Sequence, residues 1–350
     1  MFKRILVPLD GSTLAERAIP HALQFARIFG SNIVLLRVLN PISFSENPDA
    51  VDPLKWQIRK AKADIYMQEI TARLCKELET GMPVKKIPMD EDLDECKPRV
   101  EYCILEGKTA ENIVSFAHSE KIDLLVISTH GSGGLSRWNI SSVTQKVINL
   151  IYLPVLMVRA YNQPPEGIEP FYYHRILLPI DSSRRAECSL SAGIALARGV
   201  TNNESKKGEH STQPKLILAA VIKQPEVPIP EPYPAKIEKL SEQLMQVSRL
   251  SVKNYLKEMQ ERLPVDCESM VVENASVSSA IQTLAGQDQE IDLVVLCAHG
   301  YTGQSSWPYG TVTRNYLEHG TKTVLVIQDL AREKVLPSAA ELAFEKSGGR

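Results

Sequence analysis

The sequence lacks the features that mark membrane, secreted and nucleic-acid-binding chains. Its longest apolar stretch, Leu150 to Val158, is broken by Pro154 and is far too short to cross a bilayer. The opening residues, MFKRILVP, enter a strand-like segment with no signal-peptide hydrophobic core, so a cytoplasmic location is expected. Excess charge is also missing: 40 Lys and Arg stand against 42 Asp and Glu, a net charge of −2. Nothing in that balance recruits nucleic acid or an anionic membrane, and neither is expected as a partner. The six cysteines, at 75, 96, 103, 188, 267 and 297, form no C-x-x-C pair and no zinc-type spacing. Each is expected to be an unremarked reduced thiol. No metal site is expected from the acidic run Asp90–Glu95 either, since it has no glycine turn or closing glutamate of an EF-hand. It reads as a solvated loop.

What the sequence does contain is a duplication. A chain of 350 residues can hold two domains, each with its own core. KRILVPLDGS at 3–12 matches HRILLPIDSS at 174–183, and HGSGGLSRWNISSV at 130–143 matches HGYTGQSSWPYGTV at 299–312. VLMV at 155–158 matches VLVI at 324–327, and VLLRV at 34–38 resembles ILAAV at 217–221 with a larger offset. The matches keep their order, so a whole domain was duplicated.

In each half, short β-branched runs alternate with longer amphipathic stretches. In the first, strand-like 5–9, 33–39, 99–105, 123–128 and 154–158 alternate with helix-like 15–29, 54–79, 110–120 and a segment from about 143. Continuous apolar strands separated by helices indicate an open α/β fold on a parallel sheet covered on both faces. The expected organisation is a first domain at 1–160, a linker at 161–172 marked by Pro164-Pro165, a second domain at 173–329 and a tail at 330–350. Inserts at 40–53, 201–214 and 224–234 fall where loops belong.

In open parallel sheets, ligands sit beyond the carboxyl ends of the strands where the winding reverses. Asp10 and Asp181 close the first strand of each half, and the His-Gly loops close the fourth. Each loop then runs into a helix, through Ser141-Ser142-Val143 or Gly310-Thr311-Val312. A helix amino terminus offers free N–H groups and partial positive charge, so a small hydroxyl residue there suits a phosphate. The same residues are also ordinary helix caps. Their occurrence in both halves, each with an aspartate at the neighbouring strand end, favours the phosphate reading.

Taken in order, V-P-x-D near a domain's start, then G-x2-G-x9-G-[S/T], then P-V-L-x-V resembles the universal stress protein family, in tandem form. The likeness spans about 1–160 and 172–329. It implies five-stranded, Rossmann-like sheets of order 3-2-1-4-5 resembling adenine nucleotide alpha hydrolases. It also implies ATP, ADP or AMP in the crevice, with Mg²⁺ as accompanying ion. Two such domains in one chain would form an internal pseudo-dimer, with a homodimer as the further assembly. Carried over by position, Asp10 and Asp181, following Pro8 and Pro179, would contact adenine, and Val38 and Val221 would pack near the base. Ser128, His130 and Gly131, or Cys297, His299 and Gly300, would line the ribose and phosphate path. Ser141, Ser142 and Val143, or Gly310, Thr311 and Val312, would hold phosphate. Ser128, Ser141 and Cys297 replace family glycines, so the second site is expected to be the better preserved.

Three readings of function compete. The first is a regulatory stress-response protein that binds an adenine nucleotide. The second is a slow ATPase or phosphotransferase, opposed by the lack of a base, arginine finger or Walker-type lysine near the cradle. Gly107-Lys108-Thr109 matches the end of a Walker A motif, but Tyr102 stands at the first glycine's place. The third is a protein-interaction scaffold with degenerate nucleotide sites. His130 and His299 have no evident carboxylate partner in the sequence, so they are expected to brace their loops. Trp138 and Trp307 are expected to pack beneath them.

Overall fold

The computed structural model describes residues 1–40, 52–80, 99–134, 140–161, 172–204, 214–225, 234–288, 290–301 and 307–330. The chain divides into two compact units, the first built mainly on Met1–Tyr172 and the second on Tyr173–Gln304 with Tyr309–Asp329. The expected linker centre, Asp90–Glu95, Cys96, Trp138 and the tail beyond Leu330 lie outside the described residues.

The first unit runs β1 (Arg4–Pro8), α1 (Thr13–Glu16), α2 (Ala18–Phe29), β2 (Asn32–Leu39), α3 (Pro53–Thr80), β3 (Val100–Glu106), α4 (Thr109–Ser119), β4 (Leu124–Ser128), α5 (Ser142–Leu150) and β5 (Val155–Val158). Its strands are all parallel, in the order β3-β2-β1-β4-β5. The inner strand β4 is buried at every residue, whereas the outer strand β3 has half-exposed and exposed positions, including Glu101 and Glu106. A central strand covered on both faces tolerates only apolar residues, while an outer one can carry charge.

The second unit repeats the plan with β6 (Arg175–Pro179), α6 (Cys188–Glu204), β7 (Lys215–Ile222), α7 (Ala235–Arg262), β8 (Cys267–Glu273), α8 (Val277–Gln287), β9 (Leu293–Cys297), α9 (Thr311–His319) and β10 (Thr323–Ile327). The parallel order is β8-β7-β6-β9-β10, the first unit's order element for element. Both sheets are thus the expected 3-2-1-4-5.

One departure from the sequence reading is local. The stretch read as one helix over 15–29 is two, α1 and α2, meeting at Arg17. Helix α2 stops at Gly30, whose φ of 66° is left-handed and whose N–H returns to the Ala26 carbonyl; glycine adopts that conformation without strain. Among the described residues, no helix is long and apolar enough to cross a membrane.

Candidate functional site

In each unit the first strand lies between the second and the fourth, so the winding reverses between strands one and four. In the first unit β1 pairs with β4 through Ile5 opposite Leu124 and Leu6 opposite Leu125. In the second β6 pairs with β9 through Ile176 opposite Leu293 and Leu177 opposite Val294. The two motif-bearing strand ends in each half are therefore neighbours, and a crevice opens beyond them.

A carboxylate bonded across that gap marks each crevice. Asp10 Oδ1 accepts from the Ser12 N–H at 3.0 Å and the Ser12 hydroxyl at 2.6 Å, while Oδ2 accepts from the Ser132 N–H at 2.6 Å. Asp181 repeats the backbone bonds: Oδ1 accepts from the Ser183 N–H at 3.0 Å and Oδ2 from the Tyr301 N–H at 2.6 Å. Burial alone would raise the Asp10 pKa, but the bonds from Ser12 and Ser132 outweigh it and hold Asp10 below the ordinary value. The fit explains the glycine after each histidine. A Cβ at Gly131 would overlap the Asp10 carboxylate, and one at Gly300 would overlap that of Asp181. The requirement is room, since neither glycine is among the residues with positive φ.

The helix that follows is held to the strand end in the same way twice. Thr144 Oγ1 donates to the Ser128 carbonyl at 3.1 Å, and Thr313 Oγ1 donates to the Cys297 carbonyl at 2.7 Å. Backbone bonds repeat as well, Ser141 N–H to Thr129 carbonyl and Gly310 N–H to Ala298 carbonyl, both 2.8 Å. The two helix starts then differ. Ser141 caps α5 with its own side chain, accepting from the Thr144 N–H at 3.1 Å. Gly310 precedes α9 with no side-chain cap, leaving that helix's first amides without a side-chain acceptor from the cap position. Ser142 and Thr311, the next residues, are exposed in both copies.

The remaining residues singled out by the sequence fall around the same strand ends. Pro8 and Pro179 end β1 and β6, Ser128 and Cys297 end β4 and β9, and Val38 and Val221 lie half-buried near the ends of β2 and β7. Val143 and Val312, in the first turns of α5 and α9, are half-buried. The histidines are buried. His130 Nδ1 lies 3.0 Å from Thr129 Oγ1, which also accepts from the Ala160 N–H at 3.0 Å. His299 corrects the sequence reading, because it does have a carboxylate partner: its Nδ1 is 2.7 Å from Asp329 Oδ1, both side chains being buried. Asp329 also faces Arg185 at 3.5 Å. Burial would raise the Asp329 pKa, but the bond from His299 wins and lowers it. Trp307 is a second correction, being 62% exposed and not packed beneath its loop.

Sequence reasoning missed a further repeated contact. Tyr66 on α3 donates to Glu16 at 2.9 Å, and Tyr255 on α7 donates to Glu187 at 3.0 Å. Burial and the adjacent glutamate raise the pKa of both phenols, and the crevice aspartate of the same unit adds to it. Glu16 and Glu187 share the offset of Asp10 and Asp181, a signal that was present; the tyrosines were displaced by the unequal inserts before them. In the first unit Arg37 adds a cation, stacked 5.2 Å from the Tyr66 ring and crowding Gly11.

Comparison with known proteins agrees with this doubled architecture. A universal stress protein of Methanocaldococcus jannaschii is 30% identical over 161 residues, 45% of this chain and 83% of its own length. Another from the same archaeon is 27% identical over 162 residues, 46% of this chain and 98% of its own. Among solved structures, a Pseudomonas aeruginosa protein described as functionally unknown covers 99% of this chain and 97% of its own, with a TM-score of 0.59 at 15% identity. A universal stress protein of Archaeoglobus fulgidus gives 93% and 96% with a TM-score of 0.56 at 12% identity; at such identities the likeness speaks for the fold. The model of the universal stress protein family matches twice, at residues 1–159 and 172–328. The chain belongs to the universal stress protein family, with two of its domains in tandem.

Proposed function

We propose that this protein binds an adenine nucleotide in the crevice of its second domain and acts as a regulatory stress-response protein. The observation that carries the reading is the start of α9. Gly310 offers no side-chain cap, and a Cβ built on it would lie 3.4 Å from the Ala298 carbonyl oxygen, an ordinary contact. The protein itself therefore leaves room for a larger residue there, and what glycine keeps open is the approach to the α9 amides. A phosphate suits that position, drawn by unfilled donors and the helix dipole. Thr311 supplies a hydroxyl beside it, and Asp181 a carboxylate that can accept from an adenine amino group.

The first crevice supports a different role. Ser141 already fills the α5 cap, and Arg37 stands against Gly11. We assign it a degenerate site that serves as the structural partner of the second. Mg²⁺ would enter with the phosphates as their counter-ion, and the location proposed is the cytoplasm, with a homodimer as the assembly.

Isothermal calorimetry with ATP and Mg²⁺ on wild type, Gly310→Val and Ser141→Val tests the reading. Wild type should bind, Gly310→Val should lose the second site, and Ser141→Val should retain it. Absence of binding heat from ATP, ADP and AMP alike would leave the scaffold reading. Product formation abolished by Asp181→Ala would favour the enzyme instead.

A further inference from the structure

Helix α6 begins at Cys188, and β9 ends at Cys297 in the wall of the second crevice. Their sulfurs are 3.3 Å apart, within hydrogen-bonding contact. Cys188 is half-buried and Cys297 is buried. The first domain has no such pair: by the repeat offsets, Arg17 corresponds to Cys188 and Ser128 to Cys297. The pair is a property of the second domain alone, at a position where the family pattern has glycine.

The two thiols are unequal. The contact with Cys297 lowers the Cys188 pKa against the opposing effect of burial, and a helix amino terminus favours a thiolate there. The same contact and burial push the Cys297 thiol up. Cys188 is thus the more accessible and more readily ionised sulfur, with a protonated partner against it.

We infer that Cys188 and Cys297 form a peroxide-oxidised modification site, closing to a disulfide that weakens nucleotide binding in the second crevice. In the first step the Cys188 thiolate attacks hydrogen peroxide: an S–O bond forms, the O–O bond breaks, and the departing hydroxide takes the Cys297 proton to leave as water. The Cys297 thiolate then attacks the Cys188 sulfenic acid. The S–S bond forms as the S–O bond breaks, and the released hydroxide takes a proton from solvent. Two thiols lose two electrons, and one peroxide becomes two waters.

Closing the bond draws the sulfurs together by about 1 Å. On one side the pull reaches Asp181 through the Ser183 turn, where Ser183 Oγ accepts from the Ala186 N–H at 3.1 Å and its carbonyl from the Glu187 N–H at 3.3 Å. On the other it reaches the cradle, where the Cys297 carbonyl holds Thr313 at 2.7 Å. The effect on nucleotide rests on the function proposed above; the oxidation does not.

The full-length protein is reduced, exposed to hydrogen peroxide, blocked with iodoacetamide, digested and examined by mass spectrometry. A linked Cys188–Cys297 peptide, lighter by two hydrogens and released by dithiothreitol, is expected, with Cys75, Cys96, Cys103 and Cys267 alkylated. Cys188→Ser should form no bridge. ATP affinity should fall about tenfold on oxidation of wild type and stay constant in Cys188→Ser. Recovery of both thiols in alkylated form, or sulfinic acid at Cys188 without a bridge, would overturn the site. A bridge with unchanged ATP affinity would overturn the regulation. A bridge with no ATP binding in either state supports the oxidation site, and overturns the nucleotide reading together with the regulation built on it.

Discussion

Single residues decide whether each crevice keeps its carboxylate in place. Gly131 and Gly300 lie so close to Asp10 and Asp181 that one added methyl group must displace the aspartate. The displaced carboxylate then loses the loop N–H of Ser132 or Tyr301. Gly300→Ala is expected to abolish ATP binding at the second site, read by calorimetry, while lowering stability by about 0.5–1.5 kcal/mol for the hydrogen bond that the exposed Tyr301 N–H loses to water. Gly131→Ala should lower stability on the same scale and leave the second site's affinity unchanged, read by denaturant melts and titration of the same sample. Equal loss of ATP binding in both variants would contradict the assignment of nucleotide to the second crevice. The position after each aspartate shows the same economy of space. Gly11 has φ 80° and its counterpart Ser182 has φ 62°, a left-handed conformation that an L-residue other than glycine adopts at a cost of about 1–2 kcal/mol.

At the scale of elements, the two helix starts have diverged in a way that stability can read. Ser141 spends its hydroxyl on α5, so Ser141→Ala should cost about 0.5–2 kcal/mol and Ser141→Gly only a few tenths, measured as shifts in the first domain's unfolding. An equal, negligible effect of both would mean that the cap contributes nothing. The elements themselves were legible in the sequence wherever a period or a repeat marked them. The buried runs of β4 and β9 and the long helix α3 followed from apolar patterning and from the match between halves, whereas the order of strands followed from the resemblance to the universal stress protein family. The carboxyl-end placement of Asp10, Asp181 and the two loops was legible too, because strand ends can be located once strands are. What stayed hidden was contact between distant segments. His299 meets Asp329 from 30 positions away, Tyr66 reaches Glu16 from 50, and Cys188 touches Cys297 from 109. Periodicity carries no information on such pairs, and the exposed Trp307 was misread because an aromatic within a loop gives no sign of which way it faces.

At the scale of the whole chain, the two domains should respond to acid in opposite directions between pH 7 and 5. His21, buried in α2, has its pKa lowered to about 3 by burial. The unfolded chain therefore takes up a proton near pH 6.5 that the folded first domain refuses. Stability from this group is fully present above pH 6.5 and is lost as pH falls toward 3, at about 1.4 kcal/mol per unit. By the repeat offset the counterpart is Ala192, which carries no such group. Asp292 has the opposite sign. Burial raises its pKa to about 6, even though it accepts from the His174 N–H at 2.7 Å. Its folded form holds a proton that the unfolded chain has already released, so its contribution is present below the unfolded value near 3.8 and is lost as pH rises through about 6. The lowered carboxylates Asp10, Asp288 and Asp329 start from 3.8 when unfolded. Between pH 7 and 5 they remain ionised in both states. Hydrogen exchange resolved by domain, at pH 7 and pH 5 with rates corrected for intrinsic chemistry, should show the first domain losing protection and the second gaining it. His21→Gln should flatten the acid loss of the first domain alone, and Asp292→Asn should remove the alkaline loss of the second alone. If each substitution left its own domain's pH slope unchanged, burial at these two positions would not be the source of the difference.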